Sequence, residues 1–165
     1  MIDNDLFEAA SDVLGLCGGR GLTLATAESC TGGLIAAAIT SLPGSSKVLD
    51  RGYVTYSDSS KIADLGVPAE LIEKNGAVSE EVARAMAVGA IEAANVDVAL
   101  AVTGVAGPGG GTLKKPVGLV HIAVVHRSGQ NLHRECRYGP IGRGEVRRLS
   151  ALATLVLLKE LIAKV

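Results

Sequence analysis

Apolar positions along the chain change their period several times, and the changes predict the elements. Leu6, Ala10, Val13, Leu14 and Cys17 recur at helical spacing behind Asp3 or Asn4, either of which suits an N-cap, and Gly18-Gly19 ends that helix. Leu22 to Ala27 reads as a buried strand. Leu34-Ile35-Ala36-Ala37-Ala38-Ile39 reads as a closely packed helix that stops near Ser41-Leu42-Pro43-Gly44. Val48 to Ser57, with Tyr53, Val54, Thr55 and Tyr56, has the β-branched and aromatic content of a second strand. A short helix from Asp58 to Gly66 follows, then a brief turn opened by Pro68 through Leu71 and Ile72. Ser79-Glu80-Glu81 begins a longer helix whose face of Val82, Met86, Gly89, Ala90 and Ala93 implies close approach to a sheet. Asp97 to Val102 is a continuous apolar run, the pattern of a strand covered on both faces. A glycine-rich loop from Gly104 to Thr112 leads to a strand at Val117 to Val125 and a more polar, edge-like one at Asn131 to Tyr138. Gly142 to Val165 reads as a long final helix with an apolar face wide enough to cover a sheet or meet a second subunit. Strands alternating with helices predict an α/β sandwich.

Composition narrows this picture. With 165 residues the chain fits one domain able to bury a core without disulfides or metals. It has no Trp and one Phe, so the core must be Ala, Val, Leu and Ile. A net charge of −1 points neither to nucleic acid nor to an anionic membrane. Cys17, Cys30 and Cys136 form no C-x-x-C pair, which argues for reduced thiols in a cytoplasmic protein. No signal-peptide pattern opens the chain, and no apolar run approaches the roughly 20 residues of a membrane span.

Three segments end predicted strands with polar residues: Glu28-Ser29-Cys30-Thr31-Gly32-Gly33, Tyr53 to Ser57 running into Lys61, and Thr103-Gly104. Parallel strands would bring these ends to one side of the sheet. The turn at Ser29 presents backbone N–H groups and a helix N-terminus, which suit an anion or a developing oxyanion. It also lifts a nucleophile out of the sheet, although G-x-S-x-G is absent. Simple helix capping by Ser29 or Thr31 is the alternative. No Ser-His-Asp arrangement is evident, so activation of Ser29 falls to Lys61, provided burial or charge lowers its pKa. Tyr56 would hold the lysine or relay its proton. Otherwise Lys61 is a solvated side chain on a short surface helix. Cys30 is the rival nucleophile, with a buried thiol as its bland reading.

The glycine loop fits neither a P-loop nor a Rossmann fingerprint. It either cradles a ligand, with charge from Lys114 and Lys115, or crosses over as a flexible link. Arg143 and Arg147 are four residues apart on one helix face, a spacing that can fork a phosphate or carboxylate. With Arg148 they place positive charge in a first helical turn, against the macrodipole. His121, His126 and His133 lack metal-ligand spacing, so no metal site is assigned.

Thr26-Ala-Glu-Ser-Cys-Thr-Gly-Gly33, Gly52-Tyr-Val-Thr-Tyr-Ser57 leading into Lys61, Leu65-Gly-Val67, Gly76-Ala-Val-Ser79, Thr103-Gly-Val-Ala-Gly-Pro-Gly-Gly-Gly-Thr112 and Lys115-Pro-Val-Gly118 together resemble the CinA C-terminal family, the PncC-type nicotinamide-nucleotide amidohydrolases. The match runs over nearly the whole chain, in the family's order. The resemblance implies one domain over residues 1–165, a three-layer α/β/α sandwich on a mostly parallel, mixed sheet. It implies hydrolysis of the carboxamide of nicotinamide mononucleotide to nicotinic acid mononucleotide and ammonia, with no metal or cofactor. Ser29 becomes the nucleophile, with Tyr56 and Lys61 as activating partners. Amides from Cys30, Thr31, Gly32 and Gly33 would hold the oxyanion, and Thr103, Gly104, Gly107, Arg143 and Arg147 would contact substrate. The N-terminal domain that many relatives carry is not expected here, nor its ADP-ribose hydrolysis. Asp58-Ser59-Ser60 departs from the Asn-x-Ala expected before the lysine, which bears on substrate preference. Two other classes fit the same residues: a nucleotide-binding regulatory module without catalysis, and a phosphoanhydride hydrolase, against which the lack of an Asp/Glu cluster for Mg²⁺ counts. The last helix predicts a homodimer.

Overall fold

The computed structural model describes residues 2–165. Helix α1 (Asn4–Arg20) is capped by Asp3, whose side chain accepts the Leu6 N–H at 2.9 Å. It runs past Gly18-Gly19 and ends at Gly21, because Gly21 takes the left-handed conformation that closes a helix. Strand β1 (Leu24–Glu28), helix α2 (Leu34–Thr40) and strand β2 (Leu49–Val54) follow, with a 3-10 turn at Ser45–Lys47 before β2. Helices α3 (Asp58–Leu65), α4 (Ala69–Asn75) and α5 (Glu80–Ala94) lead to strand β3 (Val98–Gly104). Strands β4 (Leu119–His126) and β5 (Asn131–Arg137) precede helix α6 (Arg143–Ile162).

The five strands lie in the order β2-β1-β3-β4-β5. β1 pairs in parallel with both β2 and β3, while β3–β4 and β4–β5 are antiparallel. The sheet is therefore mixed, with its three parallel strands carrying the predicted polar ends to one side. The chain leaves β1 toward β2 and leaves β3 toward β4, in opposite directions. A crevice opens at such a divergence, beyond the carboxyl ends of the strands, and it is where open α/β sheets hold ligands.

Side-chain size sorts the two faces. Leu24, Leu100, Val102, Val120, Ile122 and Val124 project toward α1, α2 and α6, and all are fully buried. Ala25, Ala27, Ala99, Ala101 and Ala123 form the opposite face against α5. Alternation of large and alanine residues within one apolar run lets α5, itself rich in alanine, lie close on the sheet. Gly89 serves a different neighbour from the one its helix face suggested. A Cβ there would stand 1.9 Å from the Leu65 carbonyl oxygen, so the glycine admits the end of α3, not the sheet.

Most of the wide apolar face of α6 is buried inside the chain. Val146, Ala151, Leu155, Leu158, Leu161 and Ile162 are buried against α1 and the large-residue face of the sheet. Val156 of the same helix stays 40% exposed, with Leu149, Leu152 and Ala153 half-buried beside it. Among the described residues no helix is long and apolar enough to cross a membrane.

Candidate active site

Ser29 leaves β1 on the alanine face of the sheet, and its N–H donates to the Val102 carbonyl at 3.0 Å, which anchors the turn to β3. On the same face, α3 begins with a reciprocal cap between Ser57 and Ser60 that orients the helix. Lys61, in its first turn, points inward and is 1% exposed. Its Nζ lies 3.2 Å from Ser29 Oγ and donates to the Thr55 carbonyl at 2.8 Å. Thr55 is fixed in turn by donating its own N–H to the Glu28 carbonyl at 2.9 Å. Burial pushes the Lys61 pKa below its ordinary value, while Asp58 and Cys30 act weakly in the opposite direction. A lysine so placed is a candidate base for Ser29, and the solvated alternative falls.

Tyr56 does not hold this lysine. Its ring is 57% exposed and its hydroxyl accepts from Arg143. The partner expected of Tyr56 is instead the carbonyl of the preceding residue, because β2 ends there and turns its backbone toward α3. Arg143 also donates to the Gly107 carbonyl at 3.0 Å and so ties α6 to the glycine loop.

The turn before α2 departs from the expected anion site. Glu28 is fully buried and its carboxylate already occupies the helix N-terminus. It accepts from the Thr31 hydroxyl at 2.6 Å, from the Gly33 and Ile35 amides at 3.1 Å and from the Ala36 amide at 2.9 Å. Gly32 donates to the Ser29 carbonyl at 3.0 Å. Gly32 and Gly33, at φ 61° and 91°, are turn residues that let the chain curl around this carboxylate. The Thr31 hydroxyl and the Gly32 and Gly33 amides are thus committed to the turn. The amides of Cys30 and Thr31 are the ones the turn leaves without an acceptor.

Ser29, Cys30, Tyr56, Val78, Gly104, Ala106, Gly107 and Arg143 enclose a cleft of about 290 Å³, at the small end of ligand pockets, which begin near 300 Å³. It lies in the crevice between the ends of β1 and β3. Cys30 lines it, but burial pushes its thiol up to about 12, so it is no nucleophile at neutral pH. Thr103 stands behind the wall: its buried hydroxyl donates to the Ala77 carbonyl at 2.9 Å and so positions Val78. Arg147 does not fork an anion with Arg143, because it donates to the Thr31 carbonyl at 2.8 Å. Arg148 is spent on Glu145, Asp3 and Asp5. Lys115 is tied to the Asn75 carbonyl and lines a neighbouring cleft with Lys114, so neither charges this one. Val78 and Ala106 lay within the Gly76–Ser79 and Thr103–Thr112 motifs but were not among the expected contacts, since a pocket-lining apolar residue looks like any core residue until the chain is folded.

A depression of about 400 Å³ between Val88, Ile91, Asn95, Val125 and His126 lies at the other end of β3 and has no nucleophile–base pair. Among the described residues no group of three or more His, Cys, Asp or Glu side chains converges as a metal site would.

Residues 7–162 match the CinA C-terminal domain family. The chain belongs to that family. It is 53% identical over 140 residues to a CinA-like protein of Desulfotalea psychrophila, covering 85% of this chain and 33% of that protein. A CinA-like protein of Synechococcus is 48% identical over 154 residues, 93% of this chain and 36% of its own. The chain therefore spans about a third of the length of the curated relatives it matches. Among solved structures, the competence/damage inducible protein CihA from Agrobacterium tumefaciens superposes with a TM-score of 0.96 at 48% identity, covering 98% of both chains. A CinA superfamily protein from Klebsiella pneumoniae superposes with a TM-score of 0.92 at 34% identity, over 97% of this chain and 99% of that one. The three-layer, mixed-sheet fold of this CinA-family domain is thus shared by proteins of its own size.

Proposed function

We propose that this CinA-family domain is an amidohydrolase that converts nicotinamide mononucleotide to nicotinic acid mononucleotide and ammonia through an acyl-enzyme on Ser29. The observation that carries the reading is the buried Lys61 amine 3.2 Å from the Ser29 hydroxyl at the floor of the cleft. Lys61, whose pKa burial lowers, takes the Ser29 proton in its unprotonated form as Oγ attacks the carboxamide carbon. The oxyanion is received by backbone N–H groups of the Cys30 turn, where each well-placed donor contributes about 3 kcal/mol. The Lys61 ammonium passes its proton to the leaving nitrogen and ammonia departs. Lys61 then deprotonates a water that attacks the ester, and the acid product leaves as Ser29 regains its proton. The positive charge of the pyridinium ring makes the carboxamide more electrophilic, which gives the nucleotide a chemical advantage over an uncharged amide. Tyr56 supplies an aromatic wall for that ring, and Arg143 a cation near the mouth for the phosphate.

The chemistry calls on no metal, cofactor or nucleic acid, and three unbridged cysteines suit a cytoplasmic site of action. An ammonia assay on nicotinamide mononucleotide, with and without EDTA, tests the reading: release in both conditions is expected. Binding of the mononucleotide by calorimetry with no ammonia over hours would replace it with a nucleotide-binding module. A homodimer is a separate proposal. Self-association would use apolar side chains left in solvent, such as Val156 on the outer side of α6 and the fully exposed Leu113.

A further inference from the structure

The Thr55 hydroxyl is fully buried and has no hydrogen-bond partner. Thr26 shares that property, but its hydroxyl lies over Gly52 against Ala36 of α2, on the face away from Lys61. Thr55 stands beside the reacting pair, since its own carbonyl takes a proton of Lys61 at 2.8 Å. An unpaired buried hydroxyl is unfavourable, and valine would fill the same space without it, so the group calls for a reason. The donors of the lysine supply one. A neutral amine has two N–H groups and a lone pair, whereas the ammonium has three N–H groups. Nζ has two partners, Ser29 Oγ and the Thr55 carbonyl, which leaves the third proton of the ammonium without an acceptor.

We propose that Thr55 is a positioning residue for the base: by turning about χ1, its hydroxyl accepts the third N–H of the Lys61 ammonium that forms when Ser29 gives up its proton. A hydrogen bond from the charged ammonium is about twice as strong as one from the neutral amine. It therefore favours the charge that develops during acylation over the resting state, which is the difference that raises a rate. The other titratable groups acting on Lys61 are Asp58 on its own helix and the Cys30 thiol from the turn before α2. Neither is hydrogen-bonded to Nζ. The inference rests on the amidohydrolase reading.

Thr55→Val tests it, with Thr55→Ser as the rescue. Loss of one hydrogen bond to a charged group predicts a kcat lowered roughly ten- to a hundredfold, with KM nearly unchanged. Removing an acceptor from the ammonium lowers the pKa of Lys61. The alkaline-rising limb of kcat against pH therefore moves to lower pH, and the Lys61 Cε resonance of [13C]lysine-labelled free enzyme titrates lower too. Thr55→Ser should recover most of the rate and the wild-type titration. Wild-type kcat and Lys61 titration in Thr55→Val would overturn the inference. So would a rate loss with an unmoved titration, an equally slow Thr55→Ser, or a Thr55→Val chain that does not fold, because each makes the residue merely structural. If wild-type enzyme releases no ammonia from nicotinamide mononucleotide, the amidohydrolase reading fails by itself, and the resonance titration still decides the role of Thr55.

Discussion

Burial of Lys61 disfavours its ammonium, so the fold carries a penalty that grows as pH falls below the ordinary lysine value of 10.5. Lys61→Met removes that penalty and keeps the volume. It is expected to unfold at higher urea than wild type at pH 7 while releasing no ammonia, whereas a solvated lysine would leave both unchanged. Ser29→Ala should lower the rate by about a thousandfold or more with the fold retained. A second pair of residues makes stability depend on pH. His121 Nδ1 and His133 Nε2 are 3.0 Å apart, and their rings are inclined by only 21° with centroids at 5.3 Å, so one N–H points in line at the facing nitrogen. Burial lowers both pKa values, while Glu80 and Glu135 at the outer nitrogens oppose it. A second proton would set two N–H groups against each other. Stability is therefore full above the ordinary histidine value near 6.5 and declines as pH falls below it. Urea midpoints at pH 7.5 and pH 5.5 should differ more in wild type than in His133→Gln.

Two contacts between elements hold the serine and lysine together. Gly89 of α5 receives the Leu65 carbonyl at the end of α3, the helix that carries Lys61. Gly89→Ala is expected to cost about 1–3 kcal/mol in urea unfolding and to lower kcat, because α3 must retreat and take the amine from Ser29. Glu28 performs the matching service for α2 and the serine turn, with four donors converging on its carboxylate. Glu28→Gln sets an amide NH2 against some of those donors. It should cost about 2 kcal/mol or more, whereas a solvated glutamate would tolerate the change. The capping residues Asp3 and Ser79 were legible from spacing alone, since each bonds within its own first turn. The partners of Glu28 were less so. A carboxylate between a strand and a helix reads equally as catalytic acid or cap until the amides are seen to close on it.

At the scale of the whole molecule the site exists because β1 and β3 are neighbours whose following loops part in opposite directions. β1 ends at Glu28 and β3 begins at Val98, with α2, β2, α3, α4 and α5 between them along the chain, so no local pattern reports that adjacency. α6 packs on α1 and the sheet and keeps Val156 in solvent on its outer side. Light scattering at micromolar concentration should show two chains per particle. If it does, Leu113→Ser is the variant to compare, because its side chain is fully in solvent.

Periodicity, caps and glycine punctuation lay in the sequence and determined the elements and the mixed α/β class, because each depends on residues within a turn or two. The residues at Ser29 and Lys61 were visible there as well, since their strand–helix junctions are marked locally. Folding alone decided that Thr55 rather than Tyr56 holds the lysine, that Glu28 fills the helix N-terminus, that Arg143 reaches the cleft while Arg147 turns to Thr31, and that most of the apolar face of α6 packs inside the chain. Those are contacts between elements far apart in sequence, and their geometry follows from how the two faces of the sheet are packed.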